Sequence, residues 1–528
     1  MTTFRTKLSV LAAASLALAL LASPAAHAAS NSTGNSAAVA WLEANGDADV
    51  DRAFAQAKSE KKPLLLYWGA KWCPPCNQLK ATLFNRQDFI EQSRAFVAVH
   101  IDGDSAGAQK LGTRFKVRGY PTMILFNPEA AEITRLPGEI DAPQVVKVLQ
   151  MGLAGGRPVK AVLADARNGK KLSANEWRML AFYSWDTDEQ QLVPQQERAG
   201  LLAQLAAASK GVDEETTTRL WLKALAASNE AQGVQPDAAL RQRVEAVLAS
   251  PEQSRAQMDV LTNSAGEIAT VLAPDAGPAR DKLVAAYDAA LKKLTADTTL
   301  SRADRITALQ ARVDLARLGQ PKETVNPKIS PALAQEVREH TARDDREISD
   351  GYERQAVITE AAYTLGEAGL WKDSDALLKS SLAKSHSPYY LMSYLGNNAR
   401  KQGRKDEALR WYEEAFNKSE GPATRLQWGS NYLAALVDLA PQDSGRIEKT
   451  AAQLFDEASK DKSAFYERSA RSLQKVGMKL GSWNAAGQHT AAMGRLRAQL
   501  DGVCAKVDTA DQQRATCDAL IKAPAKKS

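Results

Sequence analysis

Aromatic residues are few, only 6% of 528, and together with the many alanines this leans the chain towards helix. Past the N-terminus no apolar run approaches the roughly 20 residues needed to cross a bilayer, which excludes a later membrane-spanning helix. A basic cluster is missing too. Lysine, arginine, aspartate and glutamate are interspersed, and the formal charge of +6 falls to +4 once Arg5 and Lys7 are set aside. That excludes the footprint of a nucleic-acid binder; Lys522 to Lys527 form only a short basic tail, read as frayed and solvated. No nucleotide, flavin or metal motif is present, so no cofactor is expected. Cysteine is the scarcest resource, four residues in two pairs: Cys73 with Cys76, and Cys504 with Cys517.

What is there begins with an export signal. Arg5 and Lys7 precede an apolar run from Leu8 to Ala22, followed by Ser23-Pro24 and the small-residue series Ala26-His27-Ala28-Ala29. This is the pattern of a secretory signal peptide cleaved after Ala28, and it places the mature chain in an oxidising compartment, the periplasm, where both cysteine pairs can form disulfides. The length calls for two or three domains. The boundaries read as 1–28 signal, 29–46 flexible lead-in, 47–155 an α/β domain, 156–350 a helical region, 351–422 helical repeats and 423–528 a C-terminal helical region.

Within 47–155 an amphipathic helix over Val50 to Lys61 ends at Lys62-Pro63, and Leu64 to Trp68 reads as a buried strand. Helix resumes at Cys73 and runs, with a break near Asn85, to about Ser93. A strand over Ala95 to Ile101, a helix over Ala106 to Phe115, strands over 123–126 and 132–136 and a helix from Pro143 to Leu153 complete a layered fold around a mixed sheet. After Gly155-Gly156 strand signals nearly vanish. Short helices between Gly, Pro and Asn turns predict stacked helical hairpins. Gly369 and Gly403 stand 34 residues apart, as do Pro388 and Pro422, and Leu395-Gly396, Ala399, Ala408, Tyr412 and Ala415 resemble the tetratricopeptide repeat. The scattered tryptophans Trp177, Trp185, Trp221, Trp371, Trp411 and Trp428 read as core anchors between helices.

The chemistry concentrates in Trp72-Cys73-Pro74-Pro75-Cys76, between a buried strand and the start of a helix. Unpaired N–H groups and the dipole at a helix N-terminus favour a thiolate, with Lys71 adding to this if its charge lies close. This reading offers Cys73 to solvent as the nucleophile and keeps Cys76 inward as the resolving thiol. The alternatives are a stable structural disulfide or half a zinc site, but no second C-x-x-C or histidine follows at ligand spacing, and His100 reads as a packed or edge histidine. Cys504 and Cys517 read the other way, as a structural disulfide stapling a terminal helical hairpin for about 2–4 kcal/mol.

The motif and its context resemble the thioredoxin superfamily over about Val50 to Leu153. A second segment carries the likeness: Val117-Arg118-Gly119-Tyr120-Pro121-Thr122 is similar to the family's cis-proline loop. The resemblance implies that Pro121 sits against the active disulfide, that the Tyr120 backbone pairs with a bound substrate strand and that Gly138 keeps the substrate groove open; Trp72, by its position beside Cys73, is expected to pack partly exposed at the rim of the site. The resemblance also implies protein substrates with disulfides or thiols, and a membrane reductase as electron donor. One departure stands out: the family's buried acid, six positions before the first cysteine, is here Tyr67, which leaves the general base unassigned. The fold class expected is thus an α/β thioredoxin-like domain followed by a large all-α, solenoid-like region of tetratricopeptide-like hairpins. The function expected is an exported thiol-disulfide oxidoreductase. A helical-repeat binding protein with an accessory redox domain, and a disulfide isomerase or chaperone, are the alternatives.

Overall fold

A computed structural model describes residues 38–136, 141–188, 191–229 and 233–521. The signal sequence, most of the lead-in, Gly138 and the basic tail lie outside the described residues. A five-stranded sheet in the order β1-β3-β2-β4-β5 organises the N-terminal part: β1 (Leu42–Glu43), β2 (Leu64–Gly69), β3 (Val97–Asp102), β4 (Thr122–Phe126) and β5 (Glu132–Leu136). β1 and β2 flank β3 in parallel, and β4 runs antiparallel to both β2 and β5.

Every residue of β2 is buried, as its continuous apolar run requires of a central strand. Successive side chains alternate between faces. Leu64, Leu66 and Trp68 join Val50, Ala53 and Ala57 of α1 (Asp47–Glu60) and Leu111 of α4 (Ala108–Phe115). Leu65 and Tyr67 pack on the other face with Leu79 of α2 (Pro74–Thr82), Phe89 of α3 (Gln87–Gln92) and Val145, Val148 and Leu149 of α5 (Ala142–Leu153). The break expected near Asn85 is the turn between α2 and α3. The strand β1 lies inside the stretch read as a flexible lead-in; at two residues it is too short to show alternation.

From Val159 to Asp518 the regular structure of the described residues is helical. The α5 face of the sheet continues into this region, sharing one core with the helices Val159–Arg167, Ala174–Phe182 and Gln195–Ala208. Arg135 of β5, fully buried, fastens the junction: its guanidinium donates to the carbonyls of Phe115, Lys116 and Thr187 and pairs with Glu132. Farther along, Pro388–Lys401 packs on Lys405–Lys418, that helix on Pro422–Leu439, and the last on Glu467–Trp483. Gly369 and Gly403 both take positive φ, 76° and 73°, in the turns after Gly351–Glu367 and Pro388–Lys401. Trp177, Trp185, Trp371 and Trp428 are buried between helices. Cys504 and Cys517 are joined across the hairpin of Thr490–Cys504 and Gln512–Asp518, with Cα atoms 5.6 Å apart.

Candidate functional site

β2 ends at Gly69, and the turn through Ala70 delivers Cys73 to the N-cap of α2, its N–H donating to the Ala70 carbonyl at 3.3 Å. Pro74 and Pro75 occupy the first helical positions, where a missing N–H costs nothing and the fixed φ is already helical. The Cys76 N–H donates to Cys73 Sγ at 3.3 Å, and the two cysteines are bonded, with Cα atoms 5.3 Å apart. Asn77, fully buried, braces the turn by donating to the carbonyls of Lys71 and Cys73, both at 2.8 Å. Trp68 of β2 pairs with Thr122 of β4, so the same end of the sheet carries the Tyr120-Pro121 bond, which is cis. The Trp72 and Tyr120 rings meet edge to face, centroids 6.2 Å apart. The chain therefore brings Trp72, Cys73, Cys76, Tyr120 and Pro121 together.

Two sequence expectations need correction. Cys73 is not offered to solvent: it is 3% exposed, and Trp72, expected to be partly exposed at the site's rim, is buried at 8%. The reason is that Ala70, Trp72, Cys73 and Cys76 belong to the core of the C-terminal helices, alongside Tyr389, Trp428 and Tyr432. Lys71 faces Glu420 at 3.5 Å in a solvent-exposed pair, so part of its charge is spent there.

The contacts over the motif come from far along the chain. Tyr390 stacks on Trp72 at 5.5 Å, and Trp428 lies 5.8 Å from it. The Trp72 indole N–H donates to Asp104 at 2.9 Å, and Asp104 also accepts from the Thr424 hydroxyl at 2.6 Å and pairs with Arg468. The Arg468 guanidinium sits 5.2 Å from the Trp72 and Tyr120 ring centroids. Burial opposes its charge, but Tyr120 and Asp104 more than offset this and raise its pKa above the ordinary value. Gly421, at φ 83°, allows the approach: a Cβ there would lie 2.6 Å from that of Asp104. Gln355 donates to the Trp72 carbonyl at 3.2 Å. His386 Nε2 lies 3.2 Å from Asn77 Oδ1; because the Asn77 amide nitrogen is already donating, the histidine is the donor. Burial first, then the charges of Lys71 and Lys80, lower the His386 pKa and favour the neutral ring.

Beneath the motif, Tyr67 fills the place of the expected acid. Its ring stacks on His100 at 5.0 Å and meets Phe84 edge-on at 4.8 Å. Burial, then the charges of Asp102 and Glu43, push the phenol far above its usual range, so it is no base. Asp102, paired in register with Gly69, carries a carboxyl raised by burial, against which the Asp104 N–H, donating to it at 3.0 Å, pulls it down. It stands on β3, the strand next to β2, at the end of the sheet from which the redox turn leaves. His100 is held by Glu43 at 2.7 Å. On the far side of α2 a cavity of about 70 Å³ is lined by Pro74, Pro75, Gln78, Met258, Asp304 and Glu360. Burial pushes the Asp304 carboxyl up to about 6, and Gln78 donates to it at 2.8 Å.

A strand, a cysteine-capped helix and a cis-proline turn at one end of a mixed sheet define a thioredoxin-like domain, and the family model of that description matches residues 50–152. Among curated proteins, thiol:disulfide interchange protein DsbD 2 of Pseudomonas aeruginosa is 33% identical over 111 residues, covering 20% of this chain and 19% of that protein. Thioredoxin-like protein slr0233 of Synechocystis is 29% identical over 90 residues, covering 17% of this chain and 81% of that one. The chain thus spans less than a fifth of the length of the DsbD relative. A solved structure of thioredoxin O2 from Arabidopsis thaliana in the oxidized state is 20% identical and covers 21% of this chain and 93% of that one, with a TM-score of 0.18. No helix among the described residues is long and apolar enough to cross a membrane.

Proposed function

We propose that this chain is an exported, periplasmic thiol-disulfide oxidoreductase that works on protein disulfides through Cys73 and Cys76. The observation that carries the reading is Cys73 at the N-cap of α2, bonded to Cys76 and accepting its backbone N–H. A sulfur so placed gains from the helix dipole when it becomes a thiolate. In the reductive direction the Cys73 thiolate attacks one sulfur of a substrate disulfide, and the other leaves as a thiolate. Cys76 then attacks the Cys73 sulfur of the mixed disulfide, which closes Cys73–Cys76 and releases the second substrate thiol, so two electrons have passed to the substrate. A dithiol donor, such as a membrane reductase, restores the pair.

Tyr120, Pro121, Trp72 and Gly138 are proposed as the substrate-contacting residues, and Cys504–Cys517 as a structural staple. The tetratricopeptide-like stretch 351–422 is proposed as part of a recognition arm. Burial of Cys73 favours a second reading, a helical-repeat binding protein whose thioredoxin-like domain is accessory and whose Cys73–Cys76 bond is structural.

Trapping separates the two. Cys76→Ser is expected to accumulate mixed disulfides at Cys73 when exposed to oxidised protein substrates, visible as adducts that dithiothreitol releases. A variant that forms no adduct under any redox condition would leave the accessory reading standing.

A further inference from the structure

We infer that the C-terminal helices form a size gate over Cys73, admitting small thiols and disulfides while holding out protein partners until the cover lifts. This rests on the oxidoreductase reading and adds its specificity. Two of the groups proposed to meet a protein substrate, Trp72 and Tyr120, are already engaged within the chain. Tyr390 and Trp428 lie against the Trp72 ring, Arg468 sits near both Trp72 and Tyr120, and Gln355 occupies the Trp72 carbonyl. Cys73 is left 3% exposed.

The cover is held by a small number of polar fastenings as well as by its aromatic contacts. Asp104 gathers Trp72, Thr424 and Arg468. The Arg468 backbone N–H donates at 2.9 Å to Gln109, whose own amide donates at 3.1 Å to the Tyr120 hydroxyl. His386 reaches the brace of the turn through Asn77. The fastenings grip both segments that a substrate strand must approach, the redox turn and the cis-proline turn. A small reagent needs only a local fluctuation to reach Cys73, whereas a bulky one needs these contacts broken together.

The full-length Cys76→Ser chain tests this, because it leaves Cys73 as a single thiol and Cys504–Cys517 bonded. Its labelling rates with N-ethylmaleimide and with a long polyethylene-glycol maleimide are compared, each normalised to a cysteine peptide. The gate predicts that the bulky reagent is disfavoured roughly tenfold or more relative to the small one. Tyr390→Ala or Trp428→Leu in the same background is expected to bring the ratio back towards that of the peptide. Equal normalised rates in Cys76→Ser overturn the gate; so does labelling by neither reagent, and so does a ratio that neither added substitution moves. If either added substitution prevents folding, the ratio in Cys76→Ser alone still decides. The oxidoreductase reading fails separately, if dithiothreitol leaves Cys73–Cys76 of the unaltered chain bonded.

Discussion

Arg468→Met is expected to lower the unfolding free energy by about 3–5 kcal/mol, the cost of leaving a buried charge without its partner. Asp104 is the charge left behind. Its side chain is 11% exposed, and without the guanidinium it keeps, among the described residues, the Trp72 indole and the Thr424 hydroxyl as side-chain donors. Methionine retains much of the aliphatic volume over Trp72 and Tyr120, so the loss reports the charge more than the packing. Arg468→Met with Asp104→Asn is expected to recover part of the loss, because no buried charge then remains unpaired. Urea unfolding monitored by circular dichroism reads both. A single-variant loss below about 1 kcal/mol would mean that the pair behaves like a surface ion pair.

The second large effect is on chemistry. Cys73→Ala is expected to reduce disulfide exchange with a protein substrate by at least about 10³-fold, as removal of a covalent nucleophile does elsewhere. The Cys504→Ala, Cys517→Ala double variant should retain the rate at temperatures where it stays folded. A turnover assay with dithiothreitol as electron donor measures both. Retention of exchange by Cys73→Ala would move the chemistry away from α2, and loss in the distal variant with its fold intact would assign the terminal pair a redox role.

The thioredoxin-like domain was legible because its signals are local. The run Leu64 to Trp68 is buried from end to end, Lys62-Pro63 closes α1, and Pro74-Pro75 fit only the first turn of a helix. Helix also announced itself through composition and spacing, and the glycines at 369 and 403 lie where two turns need positive φ. The cover over Cys73 was not legible. Gln355 touches Trp72 across 283 positions and Arg468 reaches Asp104 across 364, and no periodicity or motif records a contact at that range. Trp428 reads as one more core tryptophan, which it is; that its core includes the redox turn is visible only in three dimensions. Tyr67 left the general base unassigned in the sequence. The residue shows that the expected acid is absent, while a half-buried carboxyl at the same end of the sheet, Asp102, comes from the neighbouring strand and is found through the pairing of Gly69 with Asp102.

A working redox couple at Cys73–Cys76 and a staple there differ in how the bond responds to potential. Equilibrating the chain in thiol-disulfide buffers of graded potential, and counting the thiols at each cysteine by alkylation and mass spectrometry, separates the two directly. Cys73 and Cys76 are expected to be reduced together in one two-electron transition above roughly −300 mV, while Cys504–Cys517 stays bonded to lower potential, as structural disulfides do. Two pairs that resist reduction alike, down to potentials where the fold itself is lost, would contradict the redox couple.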